Sequence, residues 1–149
     1  VKYPKLIPVD PKDYGHLGFL FGVLALRLEE PYTNISHSKM PSWDQHCRFL
    51  RNWPYIKHFI ITAGNQFLGV CYISKQNEVG IYICPDYRCE GVATWVIGEL
   101  IKSHDGPLSA NIAPKNPASI RLFRKLGFEL KETEPTQLVY THAGKQSTL

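Results

Sequence analysis

The stretch Glu78-Val-Gly-Ile-Tyr-Ile-Cys-Pro-Asp-Tyr-Arg-Cys-Glu-Gly-Val-Ala93 limits what this chain can become more than any other. Ile81, Tyr82 and Ile83 read as a strand, Pro85 ends it because proline has no amide to give to a ladder, and the periodic run from Val92 to Ile101 reads as a helix. The turn between them suits an anion. Arg88 brings a positive charge, Gly91 lets the backbone come close, and the first amides of the next helix have no partners within it and carry the positive end of its dipole. The guest such a turn fits is a phosphate or diphosphate. Strand, glycine turn and helix also occur as a plain connection, so this stretch alone leaves both readings open.

A second stretch, Asn116-Pro-Ala-Ser-Ile-Arg-Leu-Phe-Arg-Lys-Leu-Gly-Phe128, starts with an asparagine cap and a proline at the first helical position. It carries an apolar stripe at Ile120, Phe123 and Leu126 and ends in glycine. Together the two stretches resemble the GCN5-related N-acetyltransferase (GNAT) superfamily, whose signature is Arg/Gln-x-x-Gly-x-Gly/Ala after a strand and then Asn-x-x-Ser/Ala-x-x-x-Tyr/Phe-x-x-x-Gly-Phe. Arg88, Gly91 and Ala93 fill the first pattern; Asn116, Ser119, Phe123, Gly127 and Phe128 fill the second.

A chain of 149 residues, 44% of them hydrophobic, suits one domain with a proper core. No apolar run approaches the ~18 residues that span a bilayer, and no basic segment followed by an apolar signal region opens the chain, so a cytoplasmic protein without membrane attachment is expected. Seventeen Lys and Arg against thirteen Asp and Glu give +4, a mild excess that permits nucleic acid without arguing for it. Cys47, Cys71, Cys84 and Cys89 form no Cys-x-x-Cys pair and read as reduced thiols, with no metal site. Asn34-Ile-Ser36 fits the glycosylation sequon, but without an export signal it reads as coincidence.

Taken in order, Leu6 to Val9 reads as a strand, and Asp10-Pro11 offers a cap and first-turn proline for a helix to about Glu30. Gly15, Gly18 and Gly22 predict close packing or a bend there. Pro31 to Pro41 reads as loop, and Ser42-Trp-Asp-Gln45 makes a capping box for a short helix ending before Pro54. Strands follow at about Tyr55 to Thr62, Gln66 to Ser74 and Glu78 to Ile83, joined closely enough to be antiparallel hairpins. After the helix from Val92, Leu108 to Ile112 is a strand reached by a right-handed crossover, and the Asn116 helix leads into a hairpin of Glu129 to Thr133 and Gln137 to Thr141. Ala143 to Leu149 reads as a disordered tail.

The superfamily uses the same element order. The resemblance therefore implies an α/β fold of the α+β type: one domain over residues 1–149 with a mixed, mostly antiparallel sheet, about four flanking helices and splayed central strands. It implies acetyl-CoA as cofactor, with the pantetheine arm along Ile81, Tyr82 and Ile83 and the diphosphate at Arg88, Cys89, Glu90, Gly91, Val92, Ala93 and Thr94. Asn116, Ser119 and Phe123 complete that site. Glu78 is the candidate base, through water, and Asn111, which cannot take a proton at neutral pH, is expected to hold the acceptor. Asn34, Ser36 and His37 are the acceptor-loop candidates.

Three positions depart from the family pattern. Phe123 stands where many relatives use tyrosine as proton donor to the thiolate, leaving Tyr82, Tyr87 or Tyr140 as replacements. Cys89 replaces a usual glycine, which the site tolerates provided the backbone there avoids positive φ, and Glu90 brings a negative charge where a basic residue is common. The activity implied is direct transfer of an acetyl group to the primary amine of a small molecule, such as an amino sugar, amino acid or polyamine-like acceptor, by a monomer or homodimer. The alternatives are an acyl-CoA-binding or sensing module and an enzyme that modifies a nucleic-acid base.

Overall fold

The computed structural model describes residues 3–30 and 39–145. Its elements are β1 (Lys5–Pro8), α1 (Tyr14–Glu29), α2 (Trp43–Arg51), β2 (Tyr55–Ala63), β3 (Gln66–Ser74), β4 (Val79–Ile83), a single 3-10 turn (Pro85–Tyr87), α3 (Val92–Ser103), β5 (Leu108–Ile112), α4 (Pro117–Lys125), β6 (Glu129–Thr133) and β7 (Leu138–His142). This is the α+β architecture expected of the sequence, with four helices around antiparallel strands.

Strands β1 to β4 form an antiparallel sheet in chain order, and β7 pairs between β5 and β6 in a second one. The two sheets meet at one point. Glu78 bridges Ser109 in parallel, with the Ser109 amide donating to the Asn77 carbonyl at 2.9 Å, and beyond that point β4 and β5 part. Pro85 and Pro114 follow the two strands and supply no amide that would close the gap.

Both faces of the first sheet are covered, which is why β3 is buried almost throughout rather than alternating. Ile60, Val70 and Tyr82 pack on one face with Leu17, Leu20 and Val23 of α1 and with Cys47 and Leu50 of α2. Ile61, Cys71, Ile73, Val79 and Ile83 pack on the other with Val96, Ile97 and Leu100 of α3. The second sheet joins this larger core through Leu108, Ala110 and Tyr140, and α4 adds Phe123.

Several local expectations change. The cap of α1 is Asp13, which accepts from the His16 amide, and not Asp10; the Asp10 carboxylate takes the Lys12 amide two residues on, an Asx turn that delays the helix. Gly18 and Gly22 meet no close packing, because the stripe through Leu17, Leu20 and Val23 faces the core and leaves them on the outer side. Residues 143–145 are ordered rather than part of a loose tail. The Gly144 amide donates to His142 Nδ1 at 2.8 Å, and Lys145 Nζ lies 3.4 Å from Asp105 Oδ1. Residues 146–149 lie outside the described residues. Ser42 and Gln45 form the predicted capping box.

Candidate active site

Where β4 and β5 diverge, a cleft of about 490 Å³ opens, lined by the backbone of β4, the turn after it, the start of α3, β5 and α4. Alternation along the strand divides its side chains. Val79 and Ile83 join the core on the α3 side, whereas Tyr82 faces α1, as do Gly80 and Glu78 two and four positions earlier.

Glu78 and Asn111, named separately from sequence, are brought together: the Asn111 side chain lies beside the Glu78 carboxylate near the point where the sheets touch. Burial raises the pKa of Glu78 above the ordinary carboxylate value, and the neighbouring Asn111 amide partly opposes this. Tyr72, opposite Gly80 on β3, lines the same end of the cleft. Its ring lies over Gly80 so closely that any Cβ there would collide with it, so glycine is what admits Tyr72 to the site. Burial raises the pKa of the Tyr72 hydroxyl, and the nearby Arg27 guanidinium of α1 partly opposes this. Arg27 and Tyr72 were not predicted. The signals available were an arginine within an otherwise apolar helix and a tyrosine facing a glycine one strand away.

The turn after β4 differs in detail from its sequence reading. Arg88 lines the cleft, but its Nε donates to the Ile83 carbonyl at 2.9 Å and its Nη2 lies 3.0 Å from both carboxylate oxygens of Glu30. Its charge therefore ties the turn to α1 and is not simply held out for an anion. Glu90 is exposed and does not line the cleft, while Cys89, Gly91, Val92, Ala93 and Thr94 do. The first α3 bond runs from the Trp95 amide to the Gly91 carbonyl, so the Val92, Ala93 and Thr94 amides have no acceptor within the helix. Gly91 has φ 80°, and a Cβ added there would meet open space.

Cys89 does not meet the condition that its backbone avoid positive φ: its φ is 63°. The tight reversal between the 3-10 turn and α3 forces a left-handed residue there, whatever its side chain. Such a conformation costs a non-glycine residue ~1–2 kcal/mol, and glycine's extra chain entropy costs ~0.5–1 kcal/mol. Cys89→Gly is therefore expected to raise stability by up to about 1 kcal/mol in a urea titration; a clear loss would contradict the strain.

On α4, Asn116 accepts from the Ser119 amide at 3.2 Å, and Asn116, Ser119 and Phe123 all line the cleft. Phe123 packs edge-on against Phe128, centroids 4.9 Å apart. Of the tyrosines named as substitute acids, Tyr140 is buried in the core away from the cleft, and Tyr82 donates its hydroxyl to Glu30 at 2.9 Å. Tyr87 lines the cleft. Asn34, Ser36 and His37 lie outside the described residues. His46 Nε2 donates to the Leu17 carbonyl at 3.0 Å, and His58 lies against the Tyr55 ring; among the described residues no group of three metal-type donors occurs.

A model of the acetyltransferase (GNAT) family matches residues 23–128, which span both motifs and the cleft between them. The chain belongs to this family. The GNAT fold is also shared with solved structures at low identity. A domain from Methanocaldococcus jannaschii superposes with TM-score 0.80 at 19% identity, over 95% of this chain and 98% of that one. A phosphinothricin acetyltransferase from Sinorhizobium meliloti, solved with acetyl-CoA, gives TM-score 0.78 at 18% identity, over 95% and 88%. A spermidine N-acetyltransferase from Vibrio cholerae, solved with CoA and spermine, gives TM-score 0.72 at 16% identity, over 93% and 92%. No curated protein matches the chain by sequence. No helix among the described residues is long and apolar enough to cross a membrane.

Proposed function

We propose that this protein is an acetyl-CoA-dependent N-acetyltransferase that acts on the primary amine of a small molecule. The observation that carries the reading is a gap between β4 and β5 that runs from the open amides at the start of α3 to the Glu78–Asn111 pair. Similar GNAT folds solved with CoA or acetyl-CoA support the cofactor.

The chain's residues fit that cofactor. The amides of Val92, Ala93 and Thr94 beside Gly91 offer donors and dipole to a diphosphate, with no side chain at residue 91 to fill the space. The inner edge of β4, unpaired with β5 beyond Glu78, offers backbone groups to an extended amide-bearing arm, as an added strand would use them. Bound acetyl-CoA supplies an acyl thioester, whose carbon–sulfur bond is exchanged for a carbon–nitrogen bond to the acceptor. Backbone amides of β4 near Ile83 polarise the acyl carbonyl. Glu78 receives the amine's proton, directly or through one water, and its raised pKa brings it nearer the working pH of a general base. Asn111 orients the Glu78 carboxylate.

The test is incubation with acetyl-CoA and a broad panel of amines, following CoA release and acetylated product by mass spectrometry, with calorimetry for CoA binding. Binding together with stoichiometric thiol and acetyl-amine is expected. CoA binding without transfer to any amine would point instead to a binding module, and absence of binding would remove both.

A further inference from the structure

The space beside Glu78 is shaped by what crosses Gly80. Strand alternation puts Glu78, Gly80 and Tyr82 on the α1 face of β4, and Gly80 pairs with Tyr72 of β3. The atoms of Tyr72 nearest to where a Gly80 Cβ would stand are Cζ, Cε1 and the hydroxyl oxygen, so the far end of the ring fills the side-chain space of residue 80. That end is held from behind. The ring lies against Tyr55, centroids 4.7 Å apart, and meets buried His58 edge-on at 6.1 Å. It is also close enough to feel the charge of Glu78. On the other side Ser109 of β5 bridges Glu78, and Asn111, two residues on and so on the same face, lies beside the Glu78 carboxylate. Glu78 thus sits between a ring from β3 and an amide from β5.

A carboxylate walled on two sides is reached through a slot. The amine nitrogen must come within about 3 Å of Glu78, or of one water held by it, so the carbon that carries the nitrogen lies between Tyr72 and Asn111. A CH2 group has only hydrogens to set against the two walls. A carbon with a second substituent must press it against the ring or the amide, and neither wall gives way: Tyr72 is backed by Tyr55 and His58, and β5 is paired along its whole length with β7. We propose that Tyr72 is a specificity-determining residue that restricts the acceptor to amines on an unbranched carbon, R–CH2–NH2. The proposal rests on the acetyl-transfer reading above and narrows it. Polyamines, ω-amino acids and other aminoalkyl compounds fit; α-amino acids that carry a side chain, and amino sugars with nitrogen on a ring carbon, do not.

Isomeric pairs of equal charge test it: butylamine against sec-butylamine, phenethylamine against α-methylbenzylamine, and β-alanine against alanine. Branching slows an amine in solution too, so each ratio of kcat/KM is divided by the ratio of rates with an acetyl thioester in free solution. The corrected ratio is expected to favour the unbranched member by about ten- to a hundredfold, the range for one methyl group that a site has no room for. Tyr72→Leu is expected to lower that ratio about tenfold by admitting the branched member, and Tyr72→Phe, which keeps the ring, to preserve it. Calorimetric CoA binding shows whether Tyr72→Leu has folded; if it has not, the unaltered protein and Tyr72→Phe decide. A corrected ratio near one in the unaltered protein, a folded Tyr72→Leu variant that slows both members alike, loss of the preference in Tyr72→Phe, or a best acceptor in the broad panel whose amine carbon is branched would overturn the proposal while leaving acetyl transfer standing. Absence of transfer to every amine of the pairs and of the panel would remove the acetyl-transfer reading and this one with it.

Discussion

Glu78→Gln is expected to lower kcat/KM for amine acetylation by about 10²- to 10⁴-fold, the usual contribution of a positioned general base, with CoA affinity little changed. The substitution keeps the side chain's shape and an oxygen beside Asn111, and removes the ability to take a proton. In the unaltered protein the rate should rise with pH through the raised pKa of Glu78 and then level off; in the variant that rise should be absent. Stability should respond in the opposite sense. With the folded pKa above its ordinary value of 4.5, the native state holds more protons than the unfolded chain between the two values. The stability Glu78 contributes is therefore fully present below 4.5 and lost as pH rises through the folded pKa. Glutamine has no such loss, so the variant's Tm relative to the parent should climb as pH is raised through that window. A variant that keeps normal turnover, or that loses it only because it has unfolded, would remove Glu78 from the mechanism.

The second large effect is expected at the cofactor turn. Gly91→Asp should raise the Kd for CoA by about a hundredfold, since a like charge within a few ångströms of a phosphate near the surface costs ~2–3 kcal/mol. Folding should suffer far less. An aspartate at the start of α3 gains ~0.3–1 kcal/mol from the helix dipole against ~1–2 kcal/mol for the left-handed backbone. Gly91→Ala separates the two, because its methyl meets open space and shares the strain without the charge. Calorimetric titration of CoA into the three proteins gives the comparison. Equal affinity for the aspartate variant would place the diphosphate elsewhere, whereas an alanine variant as weak as the aspartate one would mean that backbone strain, not charge, controls the turn.

Arg88 shows how a residue can be assigned to a motif from sequence and its contacts still be missed. Its place in the sequence pattern says that the turn needs a long donor there. Its two strongest partners, the Ile83 carbonyl and the Glu30 carboxylate, come from residues five before and fifty-eight before it. The second is a tertiary contact that no local pattern announces. Cys89 makes the same point for the backbone: a cysteine gives no warning of a φ of 63°, which the closure of the turn imposes on it.

Local chemistry in the sequence determined the elements and their order: periodicity marked the strands and helices, prolines marked where β4 and β5 stop, and the asparagine and serine caps marked where α4 and α2 begin. Glu78 and Asn111 were suggested by the resemblance to the acetyltransferase superfamily and not by local chemistry, and neither said that the two lie side by side. Only the tertiary structure decided which groups share the cleft with them. Arg27 and Tyr72 reach it because α1 packs across β3 and β4 and because Gly80 lacks a side chain. Those placements depend on contacts between residues far apart in the chain, where burial and excluded volume act and sequence spacing carries no information.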